Sequence, residues 1–289
     1  MHADELEVSE ELVRRLVDTQ FPRWREEPLA RVPRWGTDNA MYRLGDRLVV
    51  RLPRREAGGG LAKELTWLPR LAPHLPVPVP VPVATGEPSN GYPCRWAVFT
   101  WLEGTPALEA TVADHGGLAR DLAGFVRALQ AVDLPDEEVP GSRGAPLARQ
   151  DAAVRAWIPR LVGEFDTAAV TAAWERTLAT PAWDGPHVWM HGDLMPTNLL
   201  LRDGRLAGVV DWGTCTTGDP ACEAMLAWMT LDAPSRPLFR ALLGFDDATW
   251  ARARGWALAL AVGAVAYYPE TYPVFAELGR RTLRAVLDD

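Results

Sequence analysis

Two short segments in the second half of the chain carry the residues best suited to chemistry. Asp193 and Asn198 lie in the segment His191-Gly-Asp-Leu-Met-Pro-Thr-Asn198, which is interrupted by a proline, and Asp211 ends a later apolar run. Hard cations such as Mg²⁺ take oxygen ligands, usually one or two carboxylates together with substrate phosphates. Asn198 and Asp211 could supply two such oxygens, and Asp193 would then be left to orient a hydroxyl group.

These segments resemble the catalytic core of the aminoglycoside phosphotransferase family, which has a protein-kinase-like fold. The family pattern is HGDxxxxN, a short hairpin, a buried strand that ends in Asp with Gly two residues later, and then GDPxxD. The matching pieces are His191-Gly192-Asp193, Asn198, Asp211-Trp212-Gly213 and Gly218-Asp219-Pro220-Ala221-Cys222-Glu223. The resemblance extends from Val32 to the C-terminal helices, and the ordered set is far more specific than HGD alone.

The resemblance implies transfer of the γ-phosphate of ATP or GTP to a hydroxyl of a small molecule. It implies that Asp193 orients that hydroxyl while Asn198 and Asp211 hold Mg²⁺ on the phosphates. His191 is expected to hydrogen-bond the loop, and Asp219 to support it as the N-cap of the next helix. Taken singly, His191 could be a core histidine and Asp211 a turn cap.

In the first half of the chain, the resemblance implies a nucleotide site. Gly36-Thr37-Asp38-Asn39 occupies the place of the nucleotide-covering loop, and Thr100 to Leu102 that of the hinge that receives the base. Arg51 stands where the family has a phosphate-pairing lysine, and Glu64 matches the glutamate partner of that lysine. The alternative for Arg51 and Glu64 is an exposed surface ion pair, and for the hinge a buried edge strand. Arginine binds phosphate bidentately, so the replacement is chemically reasonable but geometrically different.

The acceptor is expected to bind along the C-terminal helices, where the candidate residues are Glu223, Trp228, Tyr268 and Glu270. Aromatic residues at helical spacing are more often core, yet the break Tyr267–Tyr272 is unusually aromatic for a solvent loop. Aromatic residues with few acids favour a large, partly apolar natural product over a polycation. An antibiotic O-phosphotransferase is therefore the first hypothesis.

Two alternatives stay open. The first is a housekeeping kinase for a metabolite such as choline, homoserine, thioribose or a ketoamine. The second is a catalytically inactive kinase-like binding module, which would be expected to have lost Asp193, Asn198 or Asp211. All three are present.

Composition excludes several classes of protein. The 289 residues are 48% hydrophobic and 24% charged, which is typical of a globular protein and not of a disordered or disulfide-rich one. A formal charge of -8 disfavours nucleic acid and anionic membranes as partners.

The N-terminus is acidic, unlike a signal peptide, and no apolar run reaches the ~20 residues of a membrane span. Three cysteines without a CxxC pair favour a location in the cytoplasm and disfavour a zinc site. A monomer or homodimer is expected. Lys63 is the only lysine and is not part of a Gly-Lys-Ser/Thr sequence, which excludes a Walker A loop.

The elements that must position these residues are predicted as an α+β, bilobal, kinase-like fold. Residues 1–103 form a small β-rich nucleotide-binding lobe with a hinge near 100–103, and residues 104–289 form a larger helical lobe for catalysis and acceptor binding. Within the first lobe, Gly45-Asp46 predicts a two-residue hairpin turn between strands 40–44 and 47–52. Within the second lobe, one helix is predicted over 219–231.

Overall fold

The computed structural model describes residues 6–32, 39–55, 60–135, 139 and 141–289. The chain divides into two compact units. The first contains the residues up to Pro73 together with Pro78–Glu103 and Gly208–Gly213, and the second contains His74–Val77, Gly104–Ala207 and Thr214–Asp289. The two-lobe hypothesis did not foresee that Gly208–Gly213, which carries Asp211, packs with the first unit.

The first unit is built on a five-stranded antiparallel sheet with the strand order β1-β2-β3-β5-β4. The strands are β1 (Leu29–Arg31), β2 (Asn39–Leu44), β3 (Leu48–Pro53), β4 (Pro82–Gly86) and β5 (Trp96–Thr100). Strand β4 lies at an edge, where its proline costs no ladder hydrogen bond. The turn between β2 and β3 has three residues, Gly45 to Arg47, because Leu44 pairs with Leu48. The predicted two-residue turn was therefore too short by one residue.

Two helices flank this sheet. Helix α1 (Glu10–Gln20) begins at Ser9, whose hydroxyl accepts the amide hydrogen of Leu12 at 3.2 Å, and its buried face packs with Val50 and Leu52 of β3. Successive residues of a strand point to opposite faces, so Arg51 points away from α1. Its guanidinium contacts helix α2 (Gly60–Leu71), which buries Glu64 on its inner side.

The second unit is mostly helical. Its helices are α3 (His115–Gln130), α4 (Asp151–Trp157), α5 (Thr167–Leu178), α6 (Leu226–Thr230), α7 (Arg236–Leu243), α8 (Asp247–Tyr267) and α9 (Pro273–Leu287). Its strands are β6 (Thr105–Pro106), β7 (Val188–Met190), β8 (Leu199–Arg202), β9 (Arg205–Val209) and β10 (Thr216–Gly218). Strands β6, β8 and β9 form one small sheet, and β7 pairs with β10. Within the described residues, none of the helices combines the length and the apolar character needed to cross a lipid bilayer.

The helix predicted over 219–231 is divided in the structure. A 3-10 turn, Pro220–Met225, precedes the short helix α6. Asp219 is the N-cap of the turn, and its carboxylate accepts the amide hydrogen of Ala221 at 3.0 Å. The tighter winding of the turn changes the direction in which its side chains point, relative to an α-helix. This difference decides the position of Glu223.

Candidate active site

The loop from His191 to Asn198 joins two paired strands. Strand β7 before it pairs with β10, and strand β8 after it pairs with β6, so both ends of the loop are fixed in the second unit. Gly192 has a φ of +80°, and a Cβ at this position would come within 2.8 Å of the Thr214 carbonyl oxygen. Only glycine fits such a position without strain. The conformation of the loop therefore depends on the glycine of the HGD sequence.

His191 shapes the loop from inside. Its side chain is fully buried, and its Nδ1 accepts the amide hydrogen of Asp193 at 3.2 Å. Its carbonyl oxygen accepts the hydroxyl hydrogen of Thr214 at 3.0 Å. The imidazole thus orients the backbone at Asp193.

The carboxylate of Asp193 is held at both oxygens. Asn198 Nδ2 donates to Oδ2 at 3.2 Å and also to the Asp193 carbonyl oxygen at 2.8 Å. Arg143 Nη2 donates to Oδ1 at 3.4 Å. The Asp193 side chain keeps 23% of its surface exposed, so a bound molecule can still reach it. The arrangement is a fixed, accessible carboxylate that can accept a hydrogen bond from a hydroxyl group.

Glu223 supports this loop and does not line a pocket. Its carboxylate is fully buried and accepts the amide hydrogens of His191 and Gly192 at 3.2 and 2.9 Å. Burial raises the pKa of Glu223 to about 7, although the two backbone hydrogen bonds oppose the shift. The hypothesis that Glu223 contacts the acceptor was wrong, because the side chain points inward from the 3-10 turn.

Trp228 is also part of the core. It is 3% exposed, its indole N–H donates to the carboxylate of Asp289 at 2.7 Å, and its ring lies 4.6 Å from that of Trp250. Its assignment to the acceptor site is therefore corrected in the same way. An aromatic residue on a short helix was core, as aromatic residues at such positions usually are.

Asp219 acts on the loop indirectly. Its carboxylate forms a buried pair with Arg252, whose Nε and Nη2 donate at 2.7 and 3.3 Å. Its amide donates to the Gly144 carbonyl oxygen at 3.0 Å. These contacts fix the start of the turn that carries Glu223. Asp219 therefore supports the loop through Glu223 and not by direct contact.

In the first unit, a second charged cluster joins β3, α2 and the segment after β9. Arg51 Nη1 donates to Glu64 Oε1 at 2.6 Å, and Arg51 Nη2 lies 3.6 Å from Asp211 Oδ1. Glu64 Oε1 also accepts the amide hydrogen of Trp212 at 3.0 Å. Arg51 and Glu64 are 5% and 0% exposed, which contradicts the alternative of a surface ion pair. Burial lowers the pKa of Arg51, but the charges of Glu64 and Asp211 outweigh it and leave the pKa above its ordinary value.

Asp211 has an uncommon backbone conformation. Its φ is +64°, in the left-handed region that non-glycine residues seldom adopt, and its side chain is half exposed. The next segment passes close to α2, because a Cβ at Gly213 would lie 3.2 Å from the Gly60 Cα atom. The glycine two residues after Asp211 thus permits a close backbone approach that fixes the end of this segment.

The other predicted nucleotide residues lie around β2 and β5. Asn39 is the first residue of β2, and Gly36 to Asp38 lie outside the described residues. The amide of Thr100 donates to the Val81 carbonyl oxygen, and its hydroxyl accepts the Val81 amide hydrogen, both at 2.9 Å. Since Thr100 is used in this way to hold the β4 side of the sheet, Leu102 in the irregular segment that follows is the better candidate for contact with the base.

The segment between α8 and α9 carries an aromatic cluster. The ring of Tyr268 lies 4.9 Å from that of Tyr267, 6.4 Å from Tyr272 and 5.3 Å from Phe275. Tyr267 and Tyr272 are 54% and 37% exposed, and Glu270 is exposed between them. Tyr268 and Glu270 thus remain accessible candidates, unlike Glu223 and Trp228.

A profile of one protein family matches most of the chain. The profile described as the phosphotransferase enzyme family, APH, matches residues 30–256. This match covers well over half of the 289 residues. The chain belongs to the APH phosphotransferase family. No curated protein matches it.

Several solved structures of phosphotransferases have the same fold as this chain. A GDP and kanamycin complex of APH(2")-IIIa has a TM-score of 0.73 at 18% identity, with 96% of this chain and 99% of that chain covered. The macrolide 2'-phosphotransferase MphH from Brachybacterium faecium has a TM-score of 0.63 at 24% identity, with 95% and 98% covered. ADP-bound APH(2'')-Ib has a TM-score of 0.63 at 16% identity, with 96% and 99% covered. The kinase-like α+β fold predicted from the sequence is therefore confirmed.

The two candidate Mg²⁺ ligands belong to different units, Asn198 to the second and Asp211 to the first. The side-chain oxygens of Asn198 and Asp211 are hard ligands, and Mg²⁺ sites commonly combine one or two such groups with phosphate oxygens. Asn198 directs its Nδ2 toward Asp193, and its Oδ1 accepts a 3.3 Å hydrogen bond from Thr197. Within the described residues, no group of three or more His, Cys, Asp and Glu side chains is arranged to hold a metal. Arg51 Nε is buried with no hydrogen-bond partner among those residues.

One residue of this phosphotransferase was missed in the sequence. Arg143 contacts Asp193, although it lies in a turn-rich segment that has no periodicity and belongs to none of the family motifs quoted above. The one local signal was the glycine after it, since Gly144 has a φ of +68°. A glycine in this conformation indicates a tightly defined turn.

Proposed function

We propose that this phosphotransferase transfers the γ-phosphate of ATP or GTP to a hydroxyl group of a small-molecule antibiotic. The observation that carries the proposal is the carboxylate of Asp193, which is accessible and held by Asn198 and Arg143. Phosphoryl transfer depends mainly on positioning and on neutralising charge, and a fixed carboxylate is the group needed to orient an attacking hydroxyl.

The reaction assigns a direct role to Asp193. The acceptor oxygen forms a bond to the γ-phosphorus, and the bond from that phosphorus to the β–γ bridging oxygen breaks. The nucleoside diphosphate leaves with the bridging oxygen, and the acceptor proton passes to the Asp193 carboxylate. His191 and Glu223 keep the loop in the conformation that this step needs.

The charged cluster of the first unit is assigned to the nucleotide. Arg51, held by Glu64, donates to phosphate oxygens, and Leu102 contacts the base. Asn39 stands at the end of the segment assigned to cover the phosphates. Asn198 and Asp211 are the residues assigned to Mg²⁺, which when bound neutralises phosphate charge. We place the enzyme in the cytoplasm, where nucleoside triphosphates are available.

The acceptor is assigned to the aromatic cluster. The segment after β6 lies against the catalytic loop, since the amide of Leu108 donates to the Pro196 carbonyl oxygen at 3.1 Å. Burial raises the pKa of Tyr272, and the charge of Glu109 on that segment raises it further. Tyr268 and Glu270 belong to the same region as Tyr272. Aromatic rings with few acids suit a hydroxylated, partly apolar antibiotic, and similar folds carry names of aminoglycoside and macrolide phosphotransferases.

The test is a nucleotide-consumption screen with ATP and with GTP. The acceptors are aminoglycosides, macrolides, and a control set of choline, homoserine, a thioribose and a ketoamine. We expect consumption that depends on one antibiotic class, together with a product heavier by one phosphoryl group in mass spectrometry. Consumption only with a control metabolite would contradict the antibiotic assignment, and none with any acceptor would favour an inactive binding module.

The matched control is Asp193→Asn, which keeps the size of the side chain and removes its charge. We expect kcat to fall by about 10²–10⁴, the range of general acid–base groups, while nucleotide affinity stays within a few-fold of wild type. A variant that retains wild-type kcat would show that Asp193 does not orient the acceptor.

A further inference from the structure

The arginine that faces the catalytic carboxylate occupies a defined position. Arg143 Nη2 lies 3.4 Å from Asp193 Oδ1, and the two side chains are 29% and 23% exposed. The aliphatic part of Arg143 lies over the loop, because a Cβ at Gly192 would come within 3.3 Å of the Arg143 Cβ atom. The guanidinium therefore contacts Asp193 along a packed surface.

The backbone on either side of Arg143 is fixed. Before it, the Val139 carbonyl oxygen accepts the Thr216 hydroxyl hydrogen at 2.7 Å. After it, the Gly144 carbonyl oxygen accepts the Asp219 amide hydrogen at 3.0 Å, and a Cβ at Gly144 would lie 2.1 Å from the Met190 Cε atom. These contacts join the arginine segment to β7 and β10, the same strands that hold the catalytic loop.

The two oxygens of Asp193 have different donors. Asn198 holds Oδ2 from the end of the loop, and Arg143 holds Oδ1 from a segment fifty residues upstream. Donors on both oxygens restrict the rotation of the carboxylate about χ2. This torsion is otherwise broad in aspartate, unlike χ1 with its three staggered wells. Removal of Arg143 would take away the donor to Oδ1 that the described residues provide, so the carboxylate would sample more orientations.

The charge of Arg143 is placed where an anionic substrate needs it. Asp193 and the buried Glu223 bring two carboxyl groups to this loop, and like charges repel an approaching phosphate. Burial raises the pKa of Glu223 to about 7, and the charge of Arg143 acts in the opposite direction. The arginine is thus a local counter-charge for the loop.

We propose that Arg143 is a positioning residue for phosphoryl transfer, which fixes the Asp193 carboxylate toward the acceptor hydroxyl and offsets its charge as the phosphoryl group approaches. This inference rests on the proposed function. The alternative is an ordinary, partly exposed ion pair, which contributes little to any property of the protein.

The test compares Arg143→Ala and Arg143→Lys with a matched control, Arg149→Ala. Arg149 is exposed in the 3-10 turn Leu147–Gln150 of the same segment, so its removal changes the net charge equally. We expect Arg143→Ala to lower kcat by about tenfold or more, with the nucleotide Kd and the acceptor KM within about twofold. Lysine should recover part of kcat, because it restores the charge but not the planar fork. Arg149→Ala should match wild type.

A double-mutant cycle separates positioning from a structural effect. If Arg143 acts through Asp193, Arg143→Ala in an Asp193→Asn background should lower the remaining turnover by less than about threefold, because coupled residues are non-additive. An equal loss in both backgrounds would overturn the inference. So would a loss confined to nucleotide affinity, or Arg143→Ala kinetics equal to those of Arg149→Ala. Thermal unfolding midpoints establish that the variants compared are folded, and Arg143→Lys provides the comparison if alanine is not tolerated.

Nucleotide hydrolysis by water gives the same cycle a readout before the acceptor is known. An active wild type with Arg143→Ala equal to Arg149→Ala would overturn only the role of Arg143. A wild type that consumes no nucleotide, with water or with any acceptor, would overturn the proposed function and this inference together.

Discussion

The buried carboxylate of Glu223 accepts the amide hydrogen of Gly192 at 2.9 Å, within the loop His191–Asn198. The amide of His191 donates to the other oxygen at 3.2 Å. The two donors are the backbone amides of His191 and Gly192, which directly precede Asp193. The carboxyl group of Glu223 therefore holds the first two residues of the loop. Burial raises its pKa to about 7 from an ordinary value of 4.5. The support of the loop therefore rests on a group that titrates near neutral pH.

The raised pKa of Glu223 predicts a pH-dependent stability. A group whose pKa is higher in the folded state contributes stability that is complete below pH 4.5 and is lost as the pH rises through about 7. Glu223→Gln keeps the size and an acceptor oxygen but does not titrate. We therefore expect the free energy of unfolding of the wild type, relative to Glu223→Gln, to decrease between about pH 5 and pH 8. Urea unfolding at several pH values measures this difference, and a difference independent of pH would contradict the prediction.

The buried pair of Asp219 and Arg252 predicts a large loss of stability when it is broken. Both side chains are less than a tenth exposed, at 7% and 6%. Arg252→Met leaves a buried carboxylate without its cation, and we expect it to lower the free energy of unfolding by about 3–5 kcal/mol. Asp219→Asn combined with Arg252→Met removes both charges and should cost less than Arg252→Met alone. A double variant that loses the sum of the two single effects would show that the pair is not coupled.

Much of the fold and part of the site could be predicted because they depend on local patterns. The HGD sequence, the strands on either side of it and the two-lobe division follow from residue type and spacing, and the fold class is confirmed. Glu223 could not be assigned, since an acid about one helical turn after Asp219 suits a pocket and a backbone acceptor equally well. In the structure, the 3-10 turn Pro220–Met225 carries Glu223 with its carboxylate against the amides of His191 and Gly192.

Contacts that join distant segments were beyond sequence reasoning. Arg143 and Asp193 are fifty residues apart, and no periodicity connects the turn-rich segment of Arg143 to the loop of Asp193. Likewise, Gly208–Gly213 packs with the first unit through contacts such as the Val209 amide with the Pro78 carbonyl oxygen at 3.2 Å. Loop contacts of this kind depend on the tertiary structure and not on local propensity.

Asp211 gives a prediction about metal-dependent nucleotide binding. Asparagine tolerates the left-handed conformation of this position, so Asp211→Asn removes the charge with little backbone strain. We expect the Mg²⁺-dependent gain in nucleotide affinity to fall by tenfold or more, about 1.4 kcal/mol. Calorimetric titration of nucleotide with Mg²⁺ and with a chelator measures that gain.

The matched control for Asp211 is Asp203→Asn. Asp203 also has a positive φ, +52°, and is exposed in the turn between β8 and β9. This variant should bind nucleotide and Mg²⁺ as the wild type does. If both variants behave alike, Asp211 is not a metal ligand.

The last prediction concerns Arg51, which stands where the family has a lysine. With no lysine on β3, the phosphates need another cation, and Arg51 is anchored by Glu64 at 2.6 Å. We expect Arg51→Lys to keep part of the nucleotide affinity, because lysine restores the charge but not the bidentate fork. Arg51→Ala should lower kcat/KM by tenfold or more, about 1.4 kcal/mol. It should also destabilise the fold by about 3–5 kcal/mol, because Glu64 would remain buried without its partner.

The control for Arg51 is Lys63→Ala, on the neighbouring helix. Lys63 adjoins Glu64 in α2, and adjacent helical residues point about 100° apart around the axis. The two side chains therefore should not reach the same phosphates, and Lys63→Ala should leave nucleotide affinity and kcat near wild type. Fluorescence titration with nucleotide at a temperature where each variant is folded separates binding from stability. If Lys63 proved essential and Arg51 dispensable, the cation that binds the phosphates would be Lys63, and the assignment of the β3 cluster to the nucleotide would be wrong.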